Sequence, residues 1–497
     1  MTVPNAMTAL ESLALTPGDL DALVPLSDKF SAAYLEHHRV VPIRKSGRQL
    51  VVATWGDAAS LSETAMDDLR FILDADEIAL VQWPEAPLRQ AIRRAYASDS
   101  VTATGVIAGL SAGPSSNGNG EMALDDLVSL ANEAPVVRLV NLLLLEALEA
   151  RASDVHLEHY ADQLRVRYRV DGVLQDAPAP PLHLAAALVS RLKIMAELDI
   201  AERRVPQDGR IRLRLQDRQV DVRVSIIPTL NGESVVLRLL DKARGRIGLD
   251  EIGMSAETLA EFRKIIARPH GIVLATGPTG SGKTTTLYAA IDLVRTGREK
   301  ILTVEDPVEY ELHGVPQVPV NEKVGVTFAS ALRAILRQDP DVVMVGEIRD
   351  PLTAEIAIQA ALTGHLVLST LHTNDAASAI TRLLDLNIAP FLVASTVEAV
   401  LAQRLVRRVC ASCAGKGCAN CAQSGYRGRT GIYELLVLND EIKRAITASA
   451  TAGELLALAR QNGMRTLREH GEQLVRDGIT TEQEVMRVTR DAAIEPI

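Results

Sequence analysis

Apolar and polar positions along this chain repeat with two different periods. In "LRVRYRVDGVL" (164–174), Leu164, Val166, Tyr168 and Val170 alternate with Arg165, Arg167 and Arg169 up to an Asp171-Gly172 turn. Period two before such a turn predicts a two-faced strand entering a hairpin. The alternation returns in "RIRLRL" (210–215) and "VDVRVSII" (220–227), after the helical run "VVRLVNLLLLEALEA" (136–150). Together they predict an α+β unit whose sheet has one apolar face and one arginine-rich face. From about 250 the pattern changes to short unbroken apolar runs: "GIVLAT" (271–276), "ILTVE" (301–305), "DVVMVGE" (341–347) and "HLVLSTLH" (365–372). Helical stretches separate them, which is the βαβ rhythm of a mostly parallel sheet covered on both faces. Beyond about 385 the composition predicts mainly helix, apart from a cysteine cluster and the strand-like "GIYELL" (431–436).

The first 95 residues mix the helical "DLDALVPLSDKFSAAYLEHH" with the strands "QLVVAT" and "IALVQW", a second small α+β unit. After it, "ASDSVTATGVIAGLSAGPSSNGNGEM" is poor in charge and rich in Gly, Ser and Ala, and it reads as a tether. The expected division is therefore 1–95, a linker 96–123, an α+β domain 124–242, a short connector 243–250, and a larger α/β domain 251–497.

Composition narrows the class. With 47% hydrophobic and 23% charged residues the chain has an ordinary globular balance, and its 497 residues suggest about three domains. No apolar run approaches the ~18 to 20 residues that cross a bilayer, and the start lacks a basic and apolar leader, so the expected location is the cytoplasm. A net charge of -10 argues against nucleic acid as a partner.

The sharpest motif is "GPTGSGKTTT" (277–286), which fits G-x-x-x-x-G-K-[ST] directly after a predicted strand and before a predicted helix. Gly277, Pro278, Thr279, Gly280, Ser281 and Gly282 would curl backbone N–H groups toward phosphate oxygens. Lys283 would neutralise the β- and γ-phosphates, the Thr284 hydroxyl would ligate Mg2+, and Thr285 continues the helix start. These features imply ATP and Mg2+.

Two strands end in acids. Glu347 follows the apolar Val342 to Val345, where it can reach Mg2+ through water or orient the attacking water. Glu305, Asp306 and Glu309 surround Pro307, and three carboxylates so close need cations among them. Glu309 reads equally well as part of a polar loop. His365 and His372 flank an apolar strand at an odd spacing, which puts their rings on opposite faces and excludes a shared metal ion. His365 reads as a structural histidine.

In this order, the phosphate loop, "TVEDPVEYEL", "DVVMVGEIRD" and "TGHLVLSTLHTNDA" resemble the Walker A, Asp box, Walker B and His box of the secretion ATPase superfamily. "ASDVHLE", "RYRVDGVL", "RVPQDGRIRL", "VVLRLLDK" and "AQRLVRRVC" are similar to it too, from about 130 to the C-terminus. Among its members the chain looks most like the type II secretion ATPases (the GspE family), with type IV pilus assembly ATPases as runner-up. The resemblance implies an α/β fold: a RecA-like P-loop core (251–497), a PAS-like domain (124–242) and an amino-terminal docking domain. It also implies a homo-hexamer with ATP between the PAS-like and RecA-like domains. Arg210, Arg223 and Arg238 match positions where the family brings positive charge to the phosphates, and Arg333, Arg337, Arg349 and Arg382 match family positions in the second domain. The implied catalytic set is Glu347, Glu305, Lys283 and the arginines, Arg223 and Arg238 first. The implied partners are a GspL-like inner-membrane secretion protein bound through the amino-terminal domain and a GspF-like platform protein, with the chain held peripherally at the inner membrane. A reading of another class is a nucleotide-gated scaffold without turnover.

All four cysteines lie in "CASCAGKGCANC": Cys410, Cys413, Cys418 and Cys421. Two C-x-x-C pairs can aim four thiolates at one tetrahedral Zn2+, with an iron–sulfur cluster, disulfides or free thiols as alternatives. Arg407, Arg408 and Lys416 are placed to offset the negative charge of such a site. The four-residue spacer between the pairs is shorter than the usual span in the family.

Overall fold

The computed structural model describes residues 34–35, 38–46, 48–55, 63–73, 75–85, 88, 134–215, 218–241 and 247–489. The tether at 96–123 and most of the helical signal at 19–38 lie outside them. The chain divides into two compact units, 1–146 with 178–191 and 147–177 with 192–497.

In the first unit, β1 (Val40–Ser46) pairs antiparallel with β2 (Gln49–Thr54), and α1 (Glu63–Ile72) crosses over to β3 (Glu77–Gln82), parallel to β2. Val40, Val41, Ile43, Leu50 and Val52 are buried in one apolar cluster with Leu69 and Leu73. The sequence predicts β2 and β3, but not β1. Pro42 argues against a strand there, and the register shift between Pro42 and Arg44 is how the strand accommodates it. The helix expected at 136–150 is α2 (Ala134–Glu149).

In the second unit, β4 (Ala152–His159), β5 (Leu164–Val170) and β6 (Val173–Ala177) precede α3 (Ala185–Met195), which bridges the division. Then come β7 (Gln207–Leu215), β8 (Arg218–Thr229) and β9 (Gly232–Asp241). The six strands form one antiparallel sheet, β6-β5-β4-β9-β8-β7. Leu164, Val166 and Tyr168 are buried while Arg165, Arg167 and Arg169 are half-buried, as the alternation requires.

A second sheet follows α4 (Ala256–Ile266). Its strands are β10 (Gly271–Thr276), β11 (Ile301–Glu305), β12 (Gln317–Pro319), β13 (Val342–Val345), β14 (Leu366–Leu371), β15 (Val397–Val409) and β16 (Tyr426–Val437). The order is β12-β11-β13-β14-β10-β15-β16, parallel except for the final β15–β16 pair. The covering helices include α5 (Lys283–Val294), α6 (Phe328–Ile335), α7 (Pro351–Leu362), α8 (Ala376–Asp385) and α9 (Pro390–Thr396). Along β10, Ile272 and Leu274 enter one apolar cluster while Val273 and Ala275 enter the cluster on the other face. Burial on both faces is why this strand reads as an unbroken apolar run.

The expectation of mainly helix beyond 385 is only half met. Helices α10 (Asp440–Thr447), α11 (Ala452–Gln461), α12 (Leu467–Arg476) and α13 (Glu482–Thr489) are present, but 397–437 is dominated by the long β15–β16 ribbon. The segment "VEAVLAQRLVRRV" is full of helix formers, yet residues 397–404 are all buried in a slot between β10 and β16. Pairing on both edges and packing on both faces outweigh local propensity there. No described helix is long and apolar enough to cross a membrane.

Candidate nucleotide-binding site and cysteine cluster

Strand β10 delivers residues 277–282 as a loop that ends where α5 begins at Lys283. Two glycines are required by geometry. Gly277 has φ 149°, and a Cβ there would lie 2.5 Å from the Gln403 carbonyl oxygen; Gly282 caps α5 with φ 92°. Gln403 Nε2 donates to the Ser281 carbonyl at 2.8 Å, and Lys283 Nζ donates to the carbonyls of Gly277 at 2.7 Å and Pro278 at 3.1 Å. Among the described residues, the buried Ser281 hydroxyl has no hydrogen-bond partner. An orphaned hydroxyl inside a glycine-curled loop at a helix N-terminus fits a phosphate group. Burial lowers the Lys283 ammonium to about 8, with Glu347 opposing and Arg404 adding to the shift.

The loop forms the floor of a cleft of about 810 Å3, lined by Pro278 to Thr285 and by Glu305, Asp306, Glu309, Glu347 and His372. Glu347 stands just past β13. Its Oε1 lies 2.5 Å from Arg349 Nη2, and its Oε2 lies 3.2 Å from His372 Nε2. Burial and then the charge of Lys283 lower the His372 pKa, which favours the neutral ring. His365, at the opposite end of β14, places Nδ1 2.8 Å from the Ala360 carbonyl oxygen and takes no part in the cleft.

Glu305 is buried, only 3% exposed. It accepts hydrogen bonds from Thr303 Oγ1 at 2.5 Å, Gln317 Nε2 at 2.9 Å and the Tyr288 hydroxyl. Its oxygens are thus largely engaged by the protein itself, and burial followed by this contact pushes the Tyr288 phenol far up. Asp306 stays exposed beside it.

The predicted arginines occupy different places. Arg238 lines the cleft and donates Nε to Asp154 Oδ1 at 2.9 Å. Arg223 is not among the lining residues, but its Nη2 lies 3.3 Å from the Val308 carbonyl and 3.5 Å from Glu309, at the edge of the acidic loop. Arg210 is bound to Asp221 at 2.7 Å outside the cleft. Arg333, Arg337 and Arg382 are exposed and do not line it. Arg349 reaches it only through Glu347.

Sequence reasoning missed Arg169, Arg404, Arg429 and Arg487, all lining the cleft. Arg404 is buried at 8% exposure and donates Nη2 to Asn374 at 2.9 Å (carbonyl) and 3.1 Å (Oδ1). Its signal was present in "AQRLVRRVC", but the expected helix there hid the strand that aims it inward.

The four cysteines converge. Their sulfur atoms all lie within 4.8 Å of one another, with separations of 3.9 Å (Cys410–Cys418), 3.8 Å (Cys413–Cys421) and 3.7 Å (Cys418–Cys421). These are far too long for disulfides. A tetrahedron with Zn–S bonds of ~2.3 Å has edges of about 3.8 Å, so the donor set fits Zn2+. The expected role of Arg407 is corrected: its Nη2 donates to Glu484 at 2.6 Å and its guanidinium covers the Tyr426 ring at 4.1 Å, which turns its charge toward Glu484. Arg408 and Lys416 are exposed.

A mostly parallel sheet with a phosphate-binding loop after the interior strand β10, and an acid past β13, one strand removed from it, defines a P-loop ATPase core of RecA type. Residues 129–487 match the type II/IV secretion system protein family, and residues 10–102 match the MshEN domain. The type II secretion system protein HxcR of Pseudomonas aeruginosa is 56% identical over 375 residues, covering 74% of this chain and 80% of that protein. The type IV pilus assembly ATPase PilB of Myxococcus xanthus is 44% identical over 480 residues, covering 91% and 84%. Among solved structures, the pilus retraction motor PilT with bound ADP aligns with TM-score 0.52 and 28% identity over 71% of this chain and 97% of that one. The chain belongs to the type II/IV secretion system protein family, and type II secretion system proteins are among its relatives of more than 50% identity.

Proposed function

We propose that this chain hydrolyses ATP to power pseudopilus assembly and protein export in type II secretion. It works as a homo-hexamer on the cytoplasmic face of the inner membrane, attached through its amino-terminal domain to a membrane secretion protein and acting on a platform protein. The observation that carries the reading is the position of Glu347 in the cleft of the phosphate loop, its carboxylate held between Arg349 and His372.

The chemistry is in-line attack of water on the γ-phosphorus, forming one P–O bond as the bond to ADP breaks. Positioning and charge neutralisation supply most of the catalysis. Glu347 orients the water. Lys283 and the loop amides hold the phosphates, and the Thr284 hydroxyl with Glu347 would hold Mg2+, which would supply further positive charge to the phosphates. Arg238 and Arg223 bring further positive charge from the antiparallel sheet, so domain movement and hydrolysis are linked. Cys410, Cys413, Cys418 and Cys421 would hold a structural Zn2+.

Phosphate release by Glu347→Gln tests the reading. Turnover should fall by about 10²- to 10³-fold while ATP still binds; undiminished turnover would remove Glu347 from the role and leave a nucleotide-gated scaffold as the better account. One observation favours type IV pilus assembly as a second reading: the match to PilB extends over 91% of the chain, beyond the 74% shared with HxcR. Deleting the gene and scoring secreted protein against surface pili separates the two.

A further inference from the structure

Helix α13 contributes Arg487 and Val488 to the lining of the nucleotide cleft, where they join Leu405 of β15. Strand order tells which side they occupy. Strands β13 and β14, which lead to Glu347 and His372, lie on one flank of β10, and β15 lies on the other. A nucleotide whose terminal phosphate sits by Glu347 must extend away from it, across the loop toward β15. Leu405 is placed to meet it, since its methyl carbons lie 3.6 and 3.7 Å from where a Cβ on Gly282 would stand.

The donor edge of Arg487 is already occupied. Its Nε and Nη2 donate to the two carboxylate oxygens of Glu484 at 3.1 and 2.9 Å, and Glu484 is only 1% exposed. Arg407 holds the same carboxylate through Nη2 at 2.6 Å and its backbone N–H at 3.2 Å. A guanidinium clamped along one edge keeps its flat faces free, and the Arg487 side chain remains 43% exposed. A flat guanidinium whose donor edge is taken up by a carboxylate, and which lies beside two aliphatic side chains, offers its face to an aromatic ring.

We propose that Arg487, Val488 and Leu405 form the wall of the cleft that receives the nucleobase, with the Arg487 guanidinium stacking on the ring. This rests on the nucleotide-binding reading above, and it separates base recognition (β15 and α13) from hydrolysis (β13 and β14).

The test compares Mg-ADP with Mg-pyrophosphate, which lacks the base, by calorimetric titration of the full-length protein. Arg487→Lys keeps a cation beside Glu484 but removes the flat face. ADP affinity should fall about tenfold while pyrophosphate affinity stays within about twofold. Equal loss for both ligands, or unchanged ADP affinity, overturns the proposal. If Arg487→Lys does not fold, Val488→Ala carries the same comparison without altering any charge, with about a threefold loss expected for ADP alone. A wild-type protein that binds neither ligand removes the nucleotide reading itself, a result distinct from failure of the variants.

Discussion

His372 Nε2 lies 3.2 Å from Glu347 Oε2, which joins the end of β14 to the acid that follows β13. A carboxylate gripped this way has a fixed orientation. Replacing Glu347 with Gln should lower steady-state phosphate release by about 10²- to 10³-fold, with ATP affinity changed less than about threefold. His372→Ala should cost less, about tenfold, because it positions the acid without replacing it. Parallel turnover and nucleotide-binding titrations check both, and a large loss of binding in Glu347→Gln would contradict the assignment.

Lys283 titrates within a usable range. Burial brings its ammonium down from 10.5 to about 8 in the folded protein, so above that pH the free site holds a neutral amine. Bound phosphate favours the charged form, and binding at higher pH must therefore take up a proton. ADP affinity should weaken as pH rises through about 8, and titrations in buffers of different ionisation enthalpy should report proton uptake above it. Lys283→Arg, which stays charged, should flatten the pH dependence.

Arg238 and Arg169 share the buried carboxylate of Asp154, at 2.9 and 3.7 Å. A small movement of the antiparallel sheet would let Arg238 exchange that partner for a phosphate oxygen. Arg238→Ala is expected to reduce kcat by about 10²-fold or more while leaving ADP binding nearly intact. Rates measured alongside sedimentation would distinguish this from a loss of assembly, since a ring that forms normally yet turns over at the wild-type rate is incompatible with the role.

The sulfur geometry of the cysteine cluster predicts one zinc ion per chain by elemental analysis. Cys410→Ser or Cys421→Ser, at the two buried positions, should abolish zinc and lower the Tm. Metal-free protein that melts at the same temperature would show that the cluster has no structural part.

Glu484 ties α13 to β15. Burial alone would raise its pKa, but hydrogen bonds from Arg407 and Arg487 hold it at about 2, against 4.5 for the free side chain. Its contribution to stability is therefore present above 4.5 and is lost as pH falls from there toward 2. The shift corresponds to roughly 3 kcal/mol. Glu484→Gln should destabilise by a similar amount at neutral pH, because Arg407 would lose its charge partner. Denaturant midpoints of the two proteins should converge as pH falls toward about 2.

Much of the site could be read from the sequence because its signals are local. A glycine-rich turn flanked by a strand and a helix, an acid at the end of an apolar run and paired C-x-x-C knuckles each depend on neighbours within a dozen residues. Period two in "LRVRYRV" and the unbroken run "GIVLAT" likewise placed β5 and β10, since burial of one face or both writes itself into the pattern.

Tertiary structure decided the rest. "VEAVLAQRLVRRV" carries helix-forming residues, and only the slot between β10 and β16 makes it a strand, bringing Gln403 and Arg404 beneath the phosphate loop. The uses of the arginines were equally illegible: Arg407 and Arg487 meet on Glu484 across 77 and three positions of sequence, while Arg333 and Arg382 remain on the surface. A phosphate loop is built from adjacent backbone, so its sequence specifies it. A long cation finds its partner through space, and only the folded chain brings that partner within reach.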